Sequence, residues 1–78
     1  MTVEVEFEAG AIGEAHSHPH IQTIFVAAGA FEFEIAGETR AVTAGDSLII
    51  PSNAVHGCKC VEAGRLIDSF TPRRDDFL

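Results

Sequence analysis

Three of the four histidines fall within five positions: His16, His18 and His20 in the stretch EAHSHPHIQ, with Gln22 closing it. The fourth, His56, lies far downstream. Neutral imidazole is the commonest side-chain ligand for Zn, Fe, Ni and Cu ions. On a strand, residues at i and i+2 share a face, so His16 and His18 can reach one ion from one wall. Further ligands must then come from neighbouring strands, where Gln22 heads an apolar run and His56 follows a turn. Pro19 lacks a ladder donor and restricts His18 before it, so the strand is irregular there and His20 need not point the same way.

A second group of chemical side chains closes the chain in LIDSFTPRRDDFL. Leu66, Asp68 and Phe70 share one face of the last apolar alternation. If that face is inward, Asp68 is a carboxyl among apolar neighbours, a costly arrangement unless it is paired, protonated or close to a metal. Arg73 and Arg74 follow Pro72 directly; taken alone they read as tail charges paired with Asp75 and Asp76 in solvent.

The elements that must position these groups are short strands. Val3–Ala9 alternates apolar and acidic residues with period two. Further strands are expected over 21–28, 31–35, 39–43, 47–50, 56–62 and 65–71. Tight turns are expected at Gly29, Ala36–Glu38, Ala44–Asp46 and Ala63–Gly64. No window of ten or more residues favours helical spacing. Many short strands with regular turns imply an all-β sandwich or barrel with little or no helix, and closing the sheet protects its edges.

Composition sets the limits. A chain of 78 residues holds one domain, residues 1–78, whose core is marginal at this size and calls for help from a metal, a tight barrel or a partner subunit. Apolar residues make up 46 %, a globular composition. The net charge of -7 disfavours nucleic acid and anionic membrane surfaces, and no apolar run reaches membrane-spanning length. No basic region followed by an apolar stretch opens the chain, so no signal peptide is visible. Cys58 and Cys60, one residue apart on a strand, are poorly placed for a disulfide; reduced thiols and a cytoplasmic location are expected. Both share the parity of His56 and are read as small buried apolar residues rather than thiolate ligands.

Two motifs give these groups a common frame. Gly10, His16, His18, Gln22 and Gly29 stand at the spacing G-x5-H-x-H-x3-E-x6-G, with Gln22 in place of the glutamate. Gly45, Pro51, Asn53, His56 and Cys60 stand at G-x5-P-x-G-x2-H-x3-N, with Asn53 and Cys60 departing. The pair of motifs resembles the cupin family, which implies a small jelly-roll barrel of the double-stranded β-helix type with one divalent transition metal (Zn, Ni, Fe or Mn) near its centre. By resemblance the metal ligands are His16, His18, Gln22 and His56. An amide in place of the carboxylate leaves the ion's charge undiminished, which favours anionic substrates and weakens the case for dioxygen chemistry.

The combination of HSHPH-x-Q, GDSLIIPSN-x-x-H and the ending D-x-F-x-P-x-R-x-D-F is similar to one cupin group: the small cupins of pectin and alginate breakdown that convert cyclic 4,5-unsaturated uronates to the linear keto form. The resemblance implies a metal-dependent, isomerase-type enzyme acting on a small anionic sugar, with Asp68, Phe70 and Arg74 in the active site. Asp68 would move the proton, Arg74 bind the carboxylate and Phe70 pack on the ring. His20 is expected to support the site or face the substrate rather than serve as a fifth ligand, with a plain surface position as the alternative. Two other readings stand beside this one: a non-catalytic cupin that binds or senses a sugar acid, and another cupin enzyme, a dioxygenase or a sugar isomerase. Cupin domains usually carry extra strands before the first motif, whereas nine residues precede Gly10 here. A homodimer in which Val3–Ala9 pairs across the interface is therefore expected.

Overall fold

Two long strands organise the molecule. The computed structural model describes residues 1–71, and these form β1 (Thr2–Phe7), β2 (Ile12–His16), β3 (Ile21–Ile35), β4 (Glu38–Thr43), β5 (Ser47–Ile50) and β6 (His56–Thr71), with no helix among them. β3 and β6 pair antiparallel from Ile21↔Thr71 to Ile35↔His56. The first half of β3 also pairs with β5, and its second half with β4. β6 pairs with β2 through its first half and with β1 through its second. Two four-stranded layers result, β5-β3-β6-β1 and β4-β3-β6-β2, which share the long pair.

The layers face one another across a single apolar core. Ile24, Val26, Leu48, Ile50 and Leu66 enter it from the first layer; Phe31, Phe33, Ile35, Val42 and Cys60 enter from the second. Phe7 on β1 meets Phe31 edge to face at 5.4 Å, closing one layer on the other. The strict in–out alternation of the halves of β3 explains this: one face carries the aliphatic and aromatic side chains, the other Thr23, Glu32 and Glu34. Full burial of each large apolar side chain contributes about 1.5–3 kcal/mol before the entropy of ordering is subtracted.

The sequence pattern breaks one long strand into two at Gly29 and another at Ala63–Gly64, and the structure corrects both. Neither is a hairpin turn. β3 and β6 run through these points, and the ladder shifts register between Val26 and Phe31. The glycines are there because the two backbones touch where the pair bends from one layer to the other. Gly29 has φ +85°, and a Cβ on it would lie 2.6 Å from the carbonyl oxygens of Glu62 and Ala63. In sequence, a glycine that permits a turn and one that permits close approach look alike. β2, whose end carries His16, has no apolar alternation to mark its range because Gly13 and Ala15 interrupt the pattern. The strand expected over Val3–Ala9 forms as β1, ending at Phe7.

Candidate metal centre

The bend at Gly29 and Gly64 holds one end of the layers together; the histidines gather at the other. His16 ends β2 and lies opposite His56, which opens β6. His18 sits on the loop between β2 and β3. The ring centroids are 4.4 Å apart for His16 and His56, 4.9 Å for His18 and His56, and 5.7 Å for His16 and His18. One ligand nitrogen from each of the three lies within 4.8 Å of the other two.

The protonation of the rings follows from their backbone partners. Nδ1 of His16 lies 2.9 Å from the carbonyl oxygen of Glu14, that of His18 3.0 Å from His20 O, and that of His56 2.9 Å from Ala54 O. A carbonyl oxygen only accepts, so each Nδ1 donates, and in the neutral ring this tautomer leaves the Nε2 lone pair for a metal. Metal-bound histidines are oriented in this way. His56 Nε2 is buried with no hydrogen-bond partner, and Nε2 of His18 faces Gln22 Oε1 at 3.0 Å. With His18 in the tautomer set by its Nδ1 partner, a cation between or beside these two atoms would satisfy both. Ligand atoms about 2.1 Å from one ion stand roughly 3.0–3.4 Å apart, so the residues fit a divalent metal. Burial holds the His56 imidazole below its ordinary pKa, and the neighbouring His16 and His18 push it the same way against the Ala54 carbonyl. The ligand form is therefore the favoured form.

The loop bearing His18 is held from across the barrel mouth by the turn after β5. The Ser52 hydroxyl donates to the carbonyl oxygen of Pro19 at 2.6 Å, and the Asn53 N–H donates to the carbonyl oxygen of His18 at 2.7 Å. Asn53 adopts φ +63°, which asparagine tolerates better than most residues. Sequence reasoning noted Asn53 but missed Ser52; its place in a Pro-Ser-Asn turn was the available signal. Replacing Ser52 with alanine is expected to weaken metal binding about tenfold, the lower end of what an outer partner of a ligand costs. Competition against a chromogenic chelator measures it.

His20 is buried, which excludes a plain surface position. Its ring lies 5.9 Å from that of His18, outside the three-nitrogen cluster. Phe70 meets His18 edge to face at 5.6 Å. Asp68 stands on the same inner face of β6, half-buried, with Oδ1 buried and without a hydrogen-bond partner. Burial pushes the Asp68 carboxyl above the usual carboxylate range, and a hydrogen bond from the side chain of Gln22 partly offsets this. Arg74 lies outside the described residues. Cys58 and Cys60 are free thiols. Burial pushes the Cys58 thiol up, with nearby Asp68 adding to it against a backbone hydrogen bond at Gly13, so it stays a neutral thiol. Cys60 is fully buried and donates to the carbonyl oxygen of Glu62. A separate groove of about 330 Å³ runs over Ile12, Glu34, Val55 and Gly57 and touches His56, but not His16, His18, Gln22, Asp68 or Phe70.

Of the three shifted groups, His56 and Asp68 give opposite pH dependence in metal-free protein. Below 6.5 the unfolded chain protonates His56 more readily than the folded one, so stability is lost as pH falls from there through the folded pKa. Above 3.8 the folded chain holds the Asp68 proton more tightly, so a penalty grows as pH rises through its folded value. Asp68→Asn is thus expected to raise the melting temperature at neutral pH, with the gain vanishing as pH falls toward 3.8. Thermal melts of the chelated protein across this range measure it.

Comparison with known proteins agrees with the fold. The family model described as "Cupin domain" matches residues 3–70. The pectin degradation protein KdgF of Dickeya dadantii (strain 3937) is 48% identical over 80 residues, covering 100% of this chain and 73% of that protein. The structure of KdgF from Halomonas sp. superposes with a TM-score of 0.90 at 44% identity, over 100% of this chain and 73% of that one. An RmlC-like cupin from Shewanella frigidimarina NCIMB 400 also gives 0.90, at 41% identity, over 100% and 70%. With a barrel of two strand layers, both histidine motifs in place and three imidazoles converging at its open end, the chain belongs to the cupin family.

Proposed function

We propose that the protein is a metal-dependent enzyme of pectin breakdown that converts a cyclic 4,5-unsaturated uronate to its linear keto form. The observation that carries the reading is Asp68: a carboxyl with a buried, unpartnered oxygen on the wall that also carries Phe70, beside a histidine cluster fit for a metal. The relation to the KdgF proteins supports it.

The reaction rearranges bonds without oxidation. The anomeric hydroxyl loses its proton as the C1–O5 bond breaks, leaving an aldehyde at C1 and an enol at C5. A proton delivered to C4 then makes C5 a ketone, and the formula is unchanged. Asp68 is the group that takes up and returns the proton; a carboxyl raised toward neutrality by burial is better matched to this task than an ordinary one. Phe70 packs against the ring and keeps water from the enol. Arg74 binds the substrate carboxylate with two hydrogen bonds. His16, His18, His56 and Gln22 would hold the ion. When bound, a divalent metal polarises the substrate oxygens and stabilises the negative charge that develops on them.

A homodimer belongs to the same reading, since β1 has one edge unpaired among the described residues. So does a reducing, cytoplasmic setting, in keeping with the two free thiols.

The test follows the ultraviolet absorbance of the conjugated C4=C5 group in freshly made monomer. Metal-loaded protein is expected to remove the signal faster than the spontaneous reaction, and Asp68→Asn to lower the rate by roughly a hundredfold, as loss of a proton-transfer group does. A variant as fast as the parent would remove Asp68 from the chemistry and the reading with it.

A further inference from the structure

The general cupin pattern has a glutamate where this chain has Gln22, and the structure gives the substitution a physical reason. Gln22 lies on the inner face of β3, opposite Phe70 of β6 and Ile50 of β5. The next inward pair along the ladder is Ile24↔Asp68, so Gln22 and Asp68 are diagonal neighbours on one face, within reach of long side chains. Gln22 is buried at 6% exposure, so both ends of its amide need partners inside the protein. One end is Oε1, 3.0 Å from His18 Nε2 among the metal-ready nitrogens. The other is the NH2, which serves the Asp68 carboxyl. No other common side chain of this length offers an acceptor at one tip and donors at the other.

We propose that Gln22 is a positioning residue that joins the metal centre to Asp68, holding the carboxyl by donation in one orientation on the inner wall of the barrel. A glutamate would serve the ion equally well. Its second oxygen would then face the Asp68 carboxyl, and the pair would carry like charge in a buried place unless they trapped a shared proton, which would take Asp68 out of its role. The amide is thus selected by Asp68 rather than by the metal. The consequence for turnover rests on the function proposed above; the pairing itself does not.

Exchanging donor and acceptor tests the pairing on metal-loaded protein. Gln22→Glu removes the donor, and Gln22→Glu combined with Asp68→Asn restores one donor and one acceptor in reversed order. The single Gln22→Glu variant is expected to melt at least about 5 °C lower than the parent, and Asp68→Asn to raise the melting temperature clearly more in the Gln22→Glu background than it does in the parent, a coupling that independent sites do not show. Metal content should stay near that of the parent. In the uronate assay Gln22→Glu should lower kcat about tenfold or more with KM within about threefold, because the misaimed carboxyl affects the reaction and not the binding of sugar. Additive melting shifts would overturn the pairing, and so would a Gln22→Glu enzyme with undiminished kcat. Melting shifts that couple in a protein with no turnover of the uronate would support the pairing and reject the proposed substrate.

Discussion

Replacing His56 with alanine is expected to abolish metal binding while leaving the barrel folded. His56 is the centre of the cluster: its ring is the nearest neighbour of both His16 and His18, at 4.4 and 4.9 Å. It is also the most buried of the three, and its Nε2 has no partner inside the protein. Without it, one face of the site holds only His16, exposed at the end of β2, and His18 on a loop. The loss should exceed the roughly 10–100-fold that removing an outer partner of a ligand costs. The strand survives because His56 contributes its backbone to the pairings with His16 and Ile35, which alanine keeps. Elemental analysis with circular dichroism of the same sample reads both parts. Full metal content in the variant would show that the ion, if any, sits elsewhere.

The second large effect lies at the opposite end of the molecule and has nothing to do with chemistry. Gly64→Ala is expected to leave little folded protein. A Cβ at Gly64 would run into the carbonyl oxygen of Ala28, with the carbonyl carbon of Ala28 and the Cα of Gly29 at 2.8 Å. All three atoms are backbone, in the segment where β3 and β6 cross from one layer to the other, so no side chain can rotate away. Overpacking of a core commonly costs about 1–3 kcal/mol. A clash with fixed backbone should cost more, against a total stability of about 5–15 kcal/mol, whose lower end applies to a chain this short. Ala63→Ser, one position away and exposed, should by contrast leave the urea midpoint unchanged. A cooperative transition near the parent's midpoint in Gly64→Ala would show that the bend can relax.

These two sites differ in how plainly the sequence announces them. The histidine frame was legible because His16, His18 and His56 stand at motif spacing and because i, i+2 residues share a strand face. That Leu66, Asp68 and Phe70 share one face followed from alternation alone; that this face is the inner one came from the fold. The role of Gly64 was not legible, since close approach of two backbones depends on a partner strand more than 30 positions away. The same distance hides the hydrogen bond from Ser52 to Pro19 and the link between Gln22 and Asp68: each joins groups that only the closed barrel brings together. The histidine left over, His20, shows the limit most clearly. Pro19 before it left its direction open between the site and the surface, and only the fold places it, buried beside His18.

The most direct test of the central claim is to run the conversion in heavy water and read the product by proton NMR. If Asp68 delivers the proton to C4 from one wall of the site, the product carries one deuteron at C4 in a single configuration, formed faster than the spontaneous background. A product labelled in both configurations, at a rate the protein does not change, would contradict it.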